Sequence, residues 1–295
     1  MAERADTAPI MKGGSPTGFQ IGMLLPGAVV TFVLILFALG LVVFLGFRVN
    51  DGSLTGAGFS LTNFVTILTD PLYVTVALRS VVIAGLVTIA TVVSAYPVAY
   101  YLAFYAGRHR GLLLFLVTLP FWTSYLLRVF AWKIVLAYNG VLNSALLATG
   151  IFSEPSLAFL NTPSAVVVTL AHAYAPFAIL PIYVALETMP KSLAEAASDL
   201  GARPFTTFRR VILPFSMPGV LAGALVVFVP TVGDYVTPAL VGGPSSTMIG
   251  SLIQAQFGKA NDWPFGAALA VSVMLLIMVL ILIVRWADSK FGSRA

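Results

Sequence analysis

The chain has 295 residues, of which 59% are hydrophobic and only 9% are charged, and its formal net charge is +5. Soluble domains carry about 25% charged residues, so this composition excludes a water-soluble globular protein and indicates an integral membrane protein. The lack of cysteine excludes disulfides, thiolate metal sites and cysteine nucleophiles. His109 and His172 lie far apart in the sequence and no zinc-protease motif occurs, so we expect no metal and no cofactor.

Six apolar stretches are long enough to cross a membrane, which takes about 20 residues of helix. We predict an all-α integral membrane protein with one transmembrane domain over residues 19–290. Residues 1–18 are polar and rich in Gly, Pro and Thr, and we expect a disordered cytoplasmic segment there. The six predicted spans cover residues 21–47, 80–106, 111–133, 164–186, 211–233 and 263–285.

The positions of the basic residues predict the orientation of the chain, because cytoplasmic segments of membrane proteins are enriched in Lys and Arg. With both termini in the cytoplasm, eleven of the sixteen Lys and Arg residues fall in cytoplasmic segments. The positive charge therefore follows from topology and contact with anionic lipid, and we expect no nucleic-acid partner. The remaining basic residues lie on the outer side or at span ends: Arg48, Arg79, Arg128, Lys133 and Lys259.

Two connections on the outer side are long, at about residues 48–79 and 134–163. The second contains the stretch NGVLNSALLATG, which begins at Asn139. Asn favours the start of a helix and Gly favours its end. We therefore predict a short amphipathic helix that is capped by Asn143 and ended by Gly150.

The loop between spans four and five, residues 188–210, carries the most distinctive pattern, and we call it the knob. Pro190 can start a helix in it and Gly201 can end that helix. A second short helix is predicted over residues 204–210, before Pro214 marks the return into the membrane. The first helix has a small apolar face made of Leu193, Ala196, Ala197 and Leu200, and it carries Glu195 and Asp199 on another face.

The knob resembles the EAA loop of permease subunits in bacterial ABC importers. The resemblance implies a type I ABC importer permease fold, an inner-membrane location and a coupling helix that docks in a cleft of an ATPase subunit. The ATPase-coupling residues would then be Glu195, Ala196, Ala197, Asp199 and Gly201. The residues that match the family pattern are Glu195, Ala196, Ala197, Gly201, Val211, Leu213 and Pro214.

Four other stretches resemble the spermidine/putrescine branch of these permeases. They are LPFWTSYLLRVFAW in span three, NGVLNS in the outer loop, HAYAPFAILPIY in span four, and GDYVTPALVGGPSSTMIGSLI after span five. The resemblance implies a polyamine substrate, a second and similar permease, two ATPase subunits and a periplasmic binding protein. Related branches carry other amines, iron, thiamine or phosphonates, so these substrates remain open.

Several other functions are disfavoured by missing motifs. No GxxxxGK[ST] phosphate-binding loop occurs in the chain, so it cannot hydrolyse ATP alone and is expected to be a non-catalytic subunit. An intramembrane aspartyl protease needs a GxGD element and a second membrane-embedded Asp, whereas Thr231 replaces the first Gly and the span cores supply no second Asp. A secondary carrier remains the alternative, although its usual inverted repeats and coupling acids do not stand out.

Asp234 is the acidic residue that we expect to face the transport pathway. It follows Gly233 at the outer end of span five, where Pro230 and Pro238 interrupt helix regularity, and broken helices at membrane depth are tolerated where they line a cavity. Our hypothesis is that the carboxylate attracts the ammonium groups of the substrate. Two alternatives stay open, namely a solvated loop carboxylate and a partner of Arg128.

Polar and aromatic residues near the outer ends of the spans complete the predicted pathway. Arg128 either faces a cavity or partner or extends its side chain to the membrane interface. Aromatic faces can each bind an amine by a cation–π contact of about 0.5–2 kcal/mol, although Trp and Tyr also populate the interfacial belt. His172 is expected to hydrogen-bond a neighbouring helix. The predicted pathway residues are Trp122, Tyr125, Arg128, Asp234 and Tyr235.

Overall fold

The computed structural model describes residues 18–52 and 57–291. The expectation of a disordered segment at residues 1–18 lies outside the described residues, except for Gly18, which begins the first helix. Within the described residues, six helical segments are long and apolar enough to cross a membrane, as the sequence predicted. These segments are Leu25–Gly46, Pro71–Phe104, Tyr125–Ala148, Pro163–Glu187, Pro204–Val232 and Trp263–Ile283.

The described secondary structure is almost entirely helical, with one small hairpin in the connection between the first and second spans. Strands β1 (Arg48–Val49) and β2 (Ala57–Phe59) pair in antiparallel fashion. The α-helices are α1 (Gly18–Gly46), α2 (Thr62–Thr69), α3 (Pro71–Phe104), α4 (Arg110–Thr118), α5 (Tyr125–Leu136), α6 (Val141–Ala148), α7 (Pro163–Glu187), α8 (Lys191–Asp199), α9 (Pro204–Thr207), α10 (Leu213–Val232), α11 (Val236–Val241), α12 (Ile249–Gly258) and α13 (Trp263–Phe291).

The second span begins at Pro71, earlier than the predicted residue 80. Asp70 caps this helix by accepting a hydrogen bond from the backbone N–H of Leu72 at 2.8 Å, and proline is favoured in the first helical turn. The prediction placed the boundary after Arg79 because that residue is charged. In the structure Arg79 lies inside α3, and its guanidinium donates a hydrogen bond to the carbonyl oxygen of Pro244 at 3.4 Å.

The third span differs from the continuous helix over residues 111–133 that the sequence predicts, because the third long apolar segment is Tyr125–Ala148. The predicted range is divided into α4, a 3-10 turn over Leu119–Trp122, and α5. Pro120 lies in that turn, and because proline has no N–H it cannot continue the helical hydrogen-bond ladder. Trp122 in this turn is 80% exposed, whereas Tyr125 at the start of α5 is only partly exposed.

Asn143 is not the cap of the outer-loop helix, which corrects the prediction. Gly140 occupies the N-cap position of α6, and Asn143 lies inside the helix with 1% of its surface exposed. Its side-chain amide donates to the carbonyls of Ala137 and Ser156 and accepts from the backbone N–H of Ser156 at 2.9 Å. Asn143 therefore links two parts of the loop, near Ala137 and Ser156, by hydrogen bonds. Gly150, at φ +72°, ends the helix as expected.

The centre of the molecule is formed by α3, α7 and α10, which pack against one another. Gly219 of α10 permits the closest approach to α7. A Cβ atom at this position would lie 2.5 Å from the Cβ of Ala185 and 2.6 Å from the carbonyl oxygen of Pro181. Helix α1 packs mainly on α13 and exposes most of its apolar side chains. Such a surface is stable only in lipid or against another membrane protein.

Candidate functional site

The knob has the helix–Gly–helix form that its sequence pattern predicts. Helix α8 begins after Pro190 in the N-cap position and ends just before Leu200 and Gly201. Gly201 has φ +77°, a left-handed conformation that glycine adopts without steric cost. Glu195 is exposed, as are most residues of α8, and Leu200 has 89% of its surface exposed. The knob therefore has an uncovered surface from which the apolar side chain of Leu200 projects.

The second half of the knob differs from the predicted helix over residues 204–210. Helix α9 is followed by a π-helical turn over Phe208–Ile212, and this turn leads without a break into α10. Pro214 therefore lies inside a continuous helical segment rather than at a boundary. Only the second half of the knob, from α9 onward, is therefore continuous with the fifth span, since residues 200–203 separate α8 from α9.

Asp234 lies in the gap between α10 and α11 and has 8% of its surface exposed. One carboxylate oxygen accepts a hydrogen bond from the Tyr125 hydroxyl at 2.8 Å, and the other accepts from the backbone N–H of Val236 at 3.0 Å. The Tyr125 hydroxyl also lies 2.6 Å from Thr237 Oγ1. Because it is buried and hydrogen-bonded, Asp234 is not the solvated loop carboxylate that one alternative envisaged.

The helix break that places Asp234 beside Tyr125 and Thr237 lies at Gly233–Tyr235. Pro230, which the sequence analysis held responsible, lies inside the regular part of α10, and Pro238 lies within α11. A proline near a helix end removes a hydrogen bond without necessarily ending the helix. The chain turns instead where Gly233 forms the C-cap of α10.

Arg128 lies beside this cluster but does not form an ion pair with Asp234. One guanidinium nitrogen donates to the carbonyl oxygen of Ala173 on α7 at 2.9 Å, and the guanidinium carbon lies 5.9 Å from the centre of the Tyr125 ring. Arg128 Nε is buried and lacks a hydrogen-bond partner. Arg128 therefore links α5 to α7, and Tyr125 contacts both this cation and the Asp234 carboxylate.

Two residues of this cluster are not predicted from the sequence. Tyr174 of α7 stacks on Tyr125 with ring centres 6.5 Å apart, and Thr237 of α11 is fully buried. Both residue types are common at helix interfaces, so nothing in the sequence pattern distinguishes them. His172 accepts a hydrogen bond from the indole N–H of Trp132 at 3.1 Å, which is the interhelical role that was expected.

Two predicted pathway residues lie apart from the Asp234 cluster. Trp122 is 80% exposed on the 3-10 turn between α4 and α5. Tyr235 lines a separate open cleft of about 490 Å³ together with residues of α12 such as Gln254 and Phe257. A side chain at Gly250 on α12 would collide with the carbonyl oxygen of Gly233, so α12 packs closely on the end of α10.

The comparisons with known proteins agree with this architecture. A family model described as the inner membrane component of binding-protein-dependent transport systems matches residues 95–293, and the chain belongs to this family of multi-pass inner-membrane proteins. The spermidine/putrescine transport system permease protein PotB of Escherichia coli (strain K12) is 41% identical over 245 residues, which cover 83% of this chain and 88% of that protein.

Solved structures show the same fold. A bacterial ABC transporter that imports the acidic polysaccharide alginate has a chain that superposes with a TM-score of 0.69 at 16% identity, covering 92% of this chain and 97% of that one. The same alginate transporter in complex with its pentasaccharide-bound periplasmic protein gives a TM-score of 0.68 at 17% identity, covering 93% and 95%. The fold is therefore that of a type I ABC importer permease.

Proposed function

We propose that this chain is the permease subunit of an ATP-driven importer that carries polyamines such as spermidine or putrescine across the inner membrane. The observation that carries the proposal is the buried carboxylate of Asp234 in a chain that is 41% identical to a spermidine/putrescine permease. Ionisable residues at membrane depth are costly and mark substrate paths or structural pairs. Asp234 has no cationic partner among the described residues, which leaves its charge available to an ammonium group.

The geometry around Asp234 suits a protonated amine. An ammonium group can replace the Tyr125 hydroxyl as the donor to the carboxylate, and the released hydroxyl keeps its contact with Thr237, 2.6 Å away. The stacked rings of Tyr125 and Tyr174 present aromatic faces, which attract cations. An anionic substrate such as a phosphonate would instead be repelled by the carboxylate. Among the substrates of the related branches, amines are therefore favoured.

Arg128 has a structural part in this proposal. Its positive charge would oppose a cationic substrate at short range, but its guanidinium is held by Ala173 on α7 and lies beyond the Tyr125 ring. An ammonium group bound at Asp234 would supply the direct positive charge that Arg128 does not.

The knob is the proposed docking site for the ATPase subunit, with both termini of the chain on the same, cytoplasmic side. Glu195, Ala196, Ala197, Asp199 and Gly201 would form the coupling surface. The chain lacks a phosphate-binding loop, so ATP would be hydrolysed by that partner. A second permease would complete the pathway, and a periplasmic binding protein would deliver the substrate. Transport would proceed by alternating access, in which ATP binding shifts the population between two conformations.

Uptake in cells tests this function directly. The chain is expressed with its second permease, ATPase subunit and binding protein in bacteria that lack their own polyamine uptake. We expect accumulation of radiolabelled spermidine or putrescine that requires all four components and stops when ATP is depleted. Accumulation of a non-amine substrate alone would contradict the polyamine assignment, and uptake that persists without the ATPase subunit would contradict the importer class.

A further inference from the structure

The π-helical turn that connects the knob to the fifth span is an unusual feature of the backbone. The N–H of Leu213 donates to the carbonyl oxygen of Phe208, five residues earlier, instead of to the residue four positions earlier. Pro214 contributes to this arrangement, because it lacks the N–H that an α-helix would direct to the carbonyl of Arg210. Single π turns inside α-helices are rare and are frequent at functional sites.

Aromatic contacts attach the π turn to the second span, α3. The Phe208 ring lies edge-on to Tyr96 at 5.7 Å and to Tyr100 at 6.1 Å between ring centres. One turn beyond the π segment, the Tyr96 hydroxyl hydrogen-bonds Ser216 Oγ at 2.9 Å, and Ser216 is fully buried. Phe208 at the start of the π segment and Ser216 beyond its end therefore contact the same tyrosine of α3.

The end of the knob that joins α7 is held by different contacts. Glu187, at the end of α7, forms an ion pair with Arg110 at the start of α4. The same guanidinium lies 5.0 Å from the centre of the Tyr183 ring, and Met189 has only 4% of its surface exposed. This end is therefore held by an ion pair, a cation–π contact and the burial of Met189. Among the described residues, the end of the knob that contains the π turn has no such ion pair.

We propose that Phe208 is the positioning residue that transmits movement of the knob to α3. We also propose that the π turn is the segment that changes conformation, from π to α geometry. This inference rests on the proposed function, because it requires that an ATPase subunit displaces the knob. A π turn contains one residue more than the α-helical ladder requires, so its conversion to α geometry moves the knob by about 1.5 Å along the helix axis. The π and α geometries of this turn would be two discrete backbone arrangements, and energetic coupling between distant sites requires such a two-state element.

The first test replaces the ring of Phe208 and measures coupling in the reconstituted importer. Phe208→Leu keeps an apolar side chain but removes both edge-to-face contacts, whereas Phe208→Tyr keeps the ring. The matched control is Phe215→Leu, a partly exposed ring on α10. We expect the leucine variant at position 208 to assemble with the ATPase subunit and to hydrolyse ATP. The ATP consumed per molecule imported should rise about tenfold, a size that the loss of two ring contacts permits, and the tyrosine variant should restore it.

Deletion of Arg209 is the second test, and it retains the Phe208 side chain. Arg209 is an exposed residue of the π turn, so its removal shortens the turn to α geometry without opening the core. We expect normal insertion and ATPase assembly, with the same rise in ATP consumed per molecule imported. This deletion also decides the matter if Phe208→Leu fails to insert.

The outcomes separate this inference from the proposed function. A wild-type ratio in the Arg209 deletion or in Phe208→Leu would overturn the inference, and so would loss of ATPase binding in Phe208→Leu, because Phe208 would then be a docking contact. If the wild-type complex imports a substrate other than a polyamine, the proposed substrate is wrong. The ratio is then measured with that other substrate, and the inference is still tested.

Discussion

The charge of Asp234 is the feature whose removal tests the proposed pathway most sharply. In Asp234→Asn the side chain keeps its volume and the oxygen that accepts from the N–H of Val236 at 3.0 Å. The new amide nitrogen can donate to the Tyr125 hydroxyl, which can in turn donate to Thr237 Oγ1, 2.6 Å away. The substitution removes the charge and leaves a carboxamide that can hydrogen-bond to both groups that now contact Asp234. We therefore expect the free energy of unfolding to change by less than about 1 kcal/mol.

The effect on substrate is expected to be much larger. A hydrogen bond to a charged group contributes about 1.5–3 kcal/mol, and each 1.4 kcal/mol corresponds to a factor of ten in affinity. Loss of the ammonium–carboxylate contact at Asp234 should therefore weaken substrate affinity by about 10- to 150-fold. The longer-range attraction between the two charges adds to this in a site with only 8% of the Asp234 surface exposed, while the cost of removing water from the amine opposes it.

The assay is the initial rate of spermidine uptake as a function of its concentration, in proteoliposomes that contain the complete importer. Asp234→Asn should raise the half-saturating concentration within the stated range at equal abundance in the membrane. Glu154→Gln is the matched control, because Glu154 is an exposed acid on the outer loop, and it should behave as the wild type. An unchanged uptake curve for Asp234→Asn would refute the reasoning and reduce Asp234 to a structural acid.

Three further substitutions test other parts of the molecule. Gly201→Val places a β-branched residue at φ +77°, which costs about 1–2 kcal/mol; we expect the chain to insert but to lose coupling, and transport at the wild-type rate would contradict a coupling role for the knob. Gly219→Leu forces a side chain against Pro181, because a Cβ at this position would lie 2.6 Å from the Pro181 carbonyl oxygen. Overpacking costs about 1–3 kcal/mol, so the melting temperature of the purified protein should fall. The control Gly40→Leu has open space around it and should leave the melting temperature unchanged. Asn143→Ala leaves a backbone N–H of the outer loop without its partner, at a cost of about 1–3 kcal/mol; loss of thermal stability without loss of ATPase assembly is expected, and an unchanged melting temperature would show that the amide network does not stabilise the loop.

The six spans and the knob could be predicted because their signals are local. A run of about 20 apolar residues is sufficient to identify a membrane helix, and a proline, a small apolar face and a glycine at the right spacing are sufficient for the first helix of the knob. The helix boundaries were less accessible, since Arg79 was treated as the edge of a span. Its guanidinium finds a carbonyl oxygen on a segment 165 residues away, which no local pattern reveals.

The detailed geometry of the site could be predicted only in part. Asp234, Tyr125 and Arg128 were selected for their chemistry, and the structure brings these three together. Trp122 and Tyr235 were selected by the same reasoning, but they lie elsewhere because the chain breaks at the 3-10 turn before α5 and at Gly233. The π turn was not predicted, since it depends on which carbonyl oxygen accepts one backbone hydrogen bond, and Pro214 alone does not determine that choice.

Stimulation of ATP hydrolysis by loaded binding proteins tests the proposed function most directly. The chain is reconstituted with its second permease and ATPase subunit, and binding proteins carrying different substrates are added in turn. A polyamine importer should hydrolyse ATP faster with a spermidine- or putrescine-loaded binding protein than with the empty protein or with one that carries a phosphonate. Stimulation only by a non-amine substrate would contradict the polyamine assignment, and failure of the ATPase subunit to assemble with the chain would contradict the importer itself.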